Sequence, residues 1–182
     1  MTPEHVGLAP SAWVRRWSHL VAAQATVLDV ACGSGRHVRW FAQRGARVTA
    51  VDRDAAALES LRGLAEVIVA DIESGPWPFA QRRFDAVVVT HYLWRALLPT
   101  LVASVEACGV LIYETFAQGN QTVGKPSNPD FLLRPGELLE ATKSLRTIAY
   151  EDGFVEEPPR FVQRIVAVRE GAGRSEPPRY PL

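Results

Sequence analysis

Apolar and polar positions change their period repeatedly along the chain. Short β-branched runs predict strands over 26–31 (TVLDVA), 47–51 (RVTAV), 66–70 (EVIVA), 84–90 (FDAVVVT) and 110–115 (VLIYET). Continuous apolar runs of this length suit strands covered on both faces. Stretches of helical period separate them. In GRHVRWFAQRG, Val38, Phe41 and Ala42 fall at helical spacing before Gly45, and DAAALESLRG opens on Asp54 as a cap and closes at Gly63. A third helix is predicted over 95–107, with Pro99 near its start, where a missing amide donor costs little. Earlier, SAWVRRWSHLVAA places Trp13, Trp17, Leu20 and Val21 on one helical face, read as packing surface. Alternating strands and helices specify an α/β fold, a mostly parallel sheet with helices on both faces. The last two apolar runs, 145–150 and 161–168, are joined by a proline-rich stretch too short for a crossover helix, so they are predicted to pair antiparallel.

A chain of 182 residues is long enough for one well-buried domain and short for two. The reading divides it into an N-terminal segment with a helix (1–24), a main domain (25–168) and a flexible tail (169–182) of solvated composition. Twenty basic and twenty acidic residues cancel, and neither sign gathers into a block that would follow a phosphate backbone, so a nucleic-acid partner is disfavoured. The two cysteines, Cys32 and Cys108, have neither metal-ligand spacing nor a disulfide framework, which suits a reducing cytoplasm and implies no metal site. No run reaches the roughly 18 apolar residues of a membrane span, and the first ten residues lack a signal pattern. The expectation is a cytoplasmic monomer or homodimer without a membrane partner.

The stretch VLDVACGSGRHVRWFAQRGARVTAVDRD carries the chemistry. Gly33 and Gly35 follow the first strand, where glycines let the chain turn sharply and let a ligand approach the backbone. Dinucleotide and sulfonium ligands both use such loops, and three neighbours discriminate. Val38 stands where the dinucleotide fingerprint needs glycine or alanine. Asp29, at the end of the first strand, would repel a pyrophosphate but attract an ammonium or sulfonium. Asp52 ends the second strand, placed to accept hydrogen bonds from a ribose diol in either ligand class.

These residues resemble the class I S-adenosylmethionine-dependent methyltransferases. The family's first motif, acidic-x-G-x-G-x-G, reads here Asp29-Val30-Ala31-Cys32-Gly33-Ser34-Gly35, with Ala31 replacing the first glycine. The resemblance spans about 27–168 and is loosely like small bacterial methyltransferases of the tellurite-resistance type. It implies a Rossmann-like, doubly wound seven-stranded sheet with an antiparallel last strand and S-adenosylmethionine as cofactor. It implies cofactor contacts from Asp29, Ala31, Gly33 and Gly35 in the loop, Asp52 and Arg53 at the ribose, Asp71 and Ile72 at the adenine, and Thr90. Asp71 has a local alternative as a turn cap, Asp54 is read as a helix cap, and Cys32 as a small packing residue.

The methyl acceptor is expected beyond the fourth and fifth strands, at THYLWR and YETFAQGN. His91 and Glu114 are the candidate bases there and Tyr92 a positioning group; a structural role competes with each. The stretch 116–134 lacks periodicity and is expected to form a lid, with Asn120, Gln121 and Asn128 as polar elements, Phe131, Leu132 and Leu133 as an apolar anchor, and Lys125 as an anion contact; disorder is the competing reading. Pro135 starts the next helix. The resulting expectation is methyl transfer to a small-molecule nucleophile with release of S-adenosylhomocysteine. The alternatives are a sulfonium-binding protein without catalysis and, disfavoured by Val38 and Asp29, a nicotinamide oxidoreductase.

Overall fold

The computed structural model describes residues 9–172 and 178–182. Residues 1–8 of the expected N-terminal segment and 173–177 of the expected tail lie outside the described residues. The β-branched runs form β1 (Thr26–Val30), β2 (Arg47–Asp52), β3 (Glu66–Val69), β4 (Phe84–Thr90), β5 (Val105–Phe116), β6 (Arg146–Val155) and β7 (Arg160–Val168). They build one seven-stranded sheet in the order β3-β2-β1-β4-β5-β7-β6. β1 to β5 pair parallel, and β7 inserts antiparallel between β5 and β6. The order reverses between β1 and β4, the kind of switch point that opens a crevice at the carboxyl ends of parallel strands.

Successive strand residues face opposite sides, so each face has its own core. Against one face pack α1 (Ala12–Trp17), α2 (Arg36–Gln43) and α3 (Ala55–Glu59), burying Trp13, Trp17, Val38, Phe41 and Leu58 against Val27, Ala86 and Ile112. Against the other pack α4 (Leu98–Ala103) and α5 (Glu137–Ala141), burying Leu101, Val102 and Leu138 against Leu28, Val87 and Leu111. Asp54 caps α3 by accepting from the amides of Ala56 and Ala57, and Cys32 is buried among apolar neighbours. Among the described residues no helix is long and apolar enough to cross a membrane.

The structure corrects several boundaries. The helix expected over 95–107 is a 3-10 turn (Arg95–Leu97) followed by α4, which ends at Ala103. β5 therefore begins at Val105, not at 110. Val105 pairs with Phe84, and the register slips before Ala86 meets Val110. Gly109 lies in that bulge, where a Cβ would come within 2.9 Å of the Asp85 carbonyl oxygen. β6 extends to Val155, so only 156–159 connect the hairpin. α3 stops at Glu59, short of Gly63, and the helix expected from Pro135 is the five-residue α5.

Candidate active site

The glycine loop leaves β1 through a left-handed turn. Ala31 (φ 51°), Gly33 (φ 54°) and Gly35 (φ 77°) all take positive φ. Gly35 caps α2, and a Cβ there would lie 2.4 Å from the Leu61 side chain. A Cβ on Gly33 would meet nothing within 4 Å, so that side of the loop is open to a ligand. Asp52 holds the loop: one carboxylate oxygen accepts from the Gly33 amide at 2.8 Å and the other from the Asp54 amide at 2.9 Å.

Asp29 is 1% exposed. Its Oδ2 is buried without a hydrogen-bond partner. Burial raises its pKa to about 7, with the Asp52 charge adding to the rise, while the Arg36 guanidinium and the Val38 amide oppose it. A buried carboxylate oxygen without a donor costs about 1–3 kcal/mol or more. The same atom fits the ammonium of S-adenosylmethionine, and the open flank of Gly33 fits its close approach.

Beside the loop, Ala31, Asp52, Arg53, Ala70, Asp71, Ile72, Glu73 and Tyr92 line a cavity of about 160 Å³. Thus the ends of β1, β2, β3 and β4 bring six of the expected residues together. Asp71 also acts as the turn cap weighed above, its Oδ1 accepting from the amides of Glu73 and Ser74. The Tyr92 hydroxyl is buried without a hydrogen-bond partner, and burial, then Glu73, push its pKa up. Larger hollows of about 540 and 570 Å³ lie at the opposite edge, along the starts of β1 to β3 and beside α4. Neither touches the glycine loop.

At the ends of β4 and β5 the candidate bases separate. Glu114 is 2% exposed and sits directly across the antiparallel register from Arg164. The two form an ion pair at 3.2 Å, and the Arg164 guanidinium stacks over Trp13 at 5.7 Å. Glu114 is therefore committed to a structural pair on the α1 face, which corrects its reading as a base. His91 is exposed at φ 54° and stacks on Phe116 with ring centroids 5.0 Å apart. Surrounding protein, then the charges of Arg36 and Arg160, lower its pKa to about 4. Thr90 accepts from Arg36 at 3.4 Å.

The segment after β5 is ordered by its own polar groups. Asn120, 1% exposed, donates to the Pro126 carbonyl and accepts from the Phe161 amide. Gln121 accepts from the Gly119 amide and Asn128 from the Asp130 amide. Leu132 and Leu133 are buried as anchors, but Phe131 is 44% exposed and is not one. Lys125 is exposed.

Three arginines escaped the sequence reading. Arg36, the first residue of α2, reaches Thr90 and His91. Its place directly after the glycine loop was a signal in plain view. Arg95 grips Glu137 through two nitrogens at 2.7 and 3.0 Å and donates to the carbonyls of Asp130 and Leu132, tying the β4 exit to the end of the covering loop. Arg160 starts β7 at the edge where β5 ends, a position that only the strand pairing creates.

Comparison with known proteins agrees with this geometry. Residues 27–108 match a family described as a methyltransferase domain. The chain is 29% identical over 179 residues to the malonyl-[acyl-carrier protein] O-methyltransferase of Pseudescherichia vulneris, covering 85% of this chain and 69% of that protein. TehB from Haemophilus influenzae superposes with a TM-score of 0.70 at 19% identity over 86% of this chain; the chain spans only 61% of its length. An S-adenosylmethionine-dependent methyltransferase from Mesorhizobium loti gives a TM-score of 0.71 at 17% identity, covering 90% of this chain and all of that one. The fold is that of the class I methyltransferases. Residues 27–108 are thus similar to a methyltransferase domain, and the whole sheet has the fold seen in S-adenosylmethionine-dependent methyltransferases.

Proposed function

We propose that this domain, taken as 25–168, methylates a small-molecule nucleophile and releases S-adenosylhomocysteine. The observation that carries the reading is the buried, partnerless Oδ2 of Asp29 beside the open flank of Gly33. In this reading Asp29 takes the cofactor's ammonium, and Arg36, held beside Thr90 and His91, takes its carboxylate. Asp52 keeps lone pairs free for ribose hydroxyls, while Arg53, Asp71 and Ile72 border the base and Ala31 the sugar. When bound, S-adenosylmethionine would supply an electrophilic methyl carbon to the acceptor's lone pair, with sulfur taking the C–S electron pair as the leaving group.

The chain's own contribution is alignment and exclusion of water, which can lower a barrier of this kind by about 7–11 kcal/mol. The loop over 117–134, clamped by Arg95, shields the carboxyl edge of β4 and β5. His91 and Tyr92 border that edge as positioning groups, and His91 is neutral at ordinary pH. The commitment of Glu114 to Arg164 favours one competing reading, a binding protein without turnover.

Calorimetric titration with S-adenosylhomocysteine, with NAD alongside, tests the cofactor assignment. A methyl-transfer screen over thiols, metalloid oxyanions, carboxylates and carrier-bound acyl groups then tests turnover. Micromolar binding of the homocysteine compound alone, followed by product formation, is expected. Binding without any product across the screen would favour the non-catalytic reading.

A further inference from the structure

Arg160 differs from the other arginines of the sheet. On the same strand, Arg164 pairs with Glu114 and Glu151; in β6 Arg146 pairs with Glu170, and in β2 Arg47 donates to the Gln24 carbonyl. The Arg160 side chain has no ion pair or hydrogen bond among the described residues, and its Nε is buried without a partner. The acids of the adjoining hairpin turn, Glu156 and Glu157, are exposed and form no ion pair there either. A guanidinium with a buried, unused donor is costly unless an acceptor arrives from outside the chain.

Its position says where that acceptor comes from. β7 runs antiparallel to β5, with Val162 opposite Phe116, so Arg160 projects past the end of β5. Phe161 accepts from the Ala117 amide through its carbonyl and donates to Asn120 through its amide, which locks the start of β7 to the covering loop. The Arg160 charge acts on His91, which is stacked on Phe116. Arg36 also reaches His91, at 3.5 Å, and the cofactor's own carboxylate would occupy it. Arg160 is left for the other ligand.

We propose that Arg160, near the His91–Phe116 pair, receives an anionic group of the methyl acceptor, and that this group is a carboxylate. The inference rests on the methyltransferase reading above. A planar guanidinium matches a carboxylate in a two-point bond, and the flanking rings suit a flat group better than a bulky tetrahedral one. The neutral imidazole of His91 supplies a hydrogen bond without adding charge.

The test uses the whole chain saturated with S-adenosylhomocysteine. Malonate is titrated in by calorimetry, with dimethyl malonate as the uncharged counterpart and inorganic phosphate as the tetrahedral anion. Malonate is expected to bind and the diester not to; Arg160→Gln should weaken malonate about tenfold or more, and Arg160→Lys by less. The affinity for S-adenosylhomocysteine should stay unchanged in both variants. Equal malonate affinity in the unmodified protein and in Arg160→Gln would overturn the subsite, and so would diester binding as tight as the dianion, a comparison that needs no variant. Phosphate binding more tightly than malonate would overturn the carboxylate assignment. If the unmodified protein takes up no S-adenosylhomocysteine, the methyltransferase reading itself fails.

Discussion

Replacing Asp29 by Asn isolates the charge at the centre of the site. In the ligand-free fold Asp29 is 1% exposed and its pKa stands at about 7 against an ordinary 3.8. A folded-state pKa above the unfolded value means that the acid's contribution is fully present below the unfolded pKa and is lost as pH rises through the folded one. By pH 8 about three pK units separate the states, a cost of ~4 kcal/mol to the ligand-free fold. Asn keeps an oxygen for the Val38 amide but does not ionise. The variant should therefore melt ~10 °C above the parent at pH 8, and the gap should narrow as pH falls toward 4. Cofactor binding should move the opposite way, because the lost charge-assisted bond to the ammonium is worth about 1.5–3 kcal/mol, or roughly 10- to 150-fold in affinity. In the parent, affinity for S-adenosylhomocysteine should also fall about tenfold per pH unit below 7, since binding then has to expel the Asp29 proton. Melting curves and calorimetric titrations of both proteins from pH 5 to 8.5 measure all of this. A pH-independent melting difference together with a flat affinity profile in the parent would refute the assignment.

Other predictions follow from the same geometry. Ala31→Gly should stabilise the fold by ~0.5–1 kcal/mol in urea melts, because Ala31 sits at φ 51° where glycine carries no Cβ penalty; a loss of stability would contradict the strained turn. Glu114→Gln should destabilise by about 1.5–3 kcal/mol, because the 14%-exposed Arg164 side chain loses its buried partner and keeps only Glu151 at 3.6 Å, while kcat at a temperature where the variant is folded stays close to that of the parent. A kcat collapse in the folded variant would restore Glu114 as a base. His91→Gln should leave the shape of the kcat profile between pH 5 and 8 unchanged, because His91 loses its proton near pH 4. An inflection near pH 6.5 that vanishes in the variant would overturn that.

The parts of the site that could be read from the chain are those built by local rules. The turn at Ala31 to Gly35 and the acids ending β1 and β2 lie within one strand-loop-helix-strand unit, so spacing alone places them together. Asp54 behaves as the local cap its position suggested. Long-range partners were hidden. Nothing near Glu114 in sequence indicates Arg164, because the pair exists only through the antiparallel register of β5 and β7. The early start of β5 was hidden for the same reason: its first residue pairs with Phe84 across the sheet, and that pairing outweighs the helical spacing of 95–107.

By itself, then, the sequence determined the alternation of strands and helices, the glycine loop and the acids around it, all products of backbone preference and periodic burial over a few residues. The tertiary structure decided which charges were spent and which remained free. It gave Glu114 to Arg164, gave Glu137 to Arg95, left Asp29 buried with an unused oxygen, and set Arg160 without a carboxylate partner past the end of β5. Charge partnership is settled by distance in space, and strand order and register create distances that sequence separation does not contain.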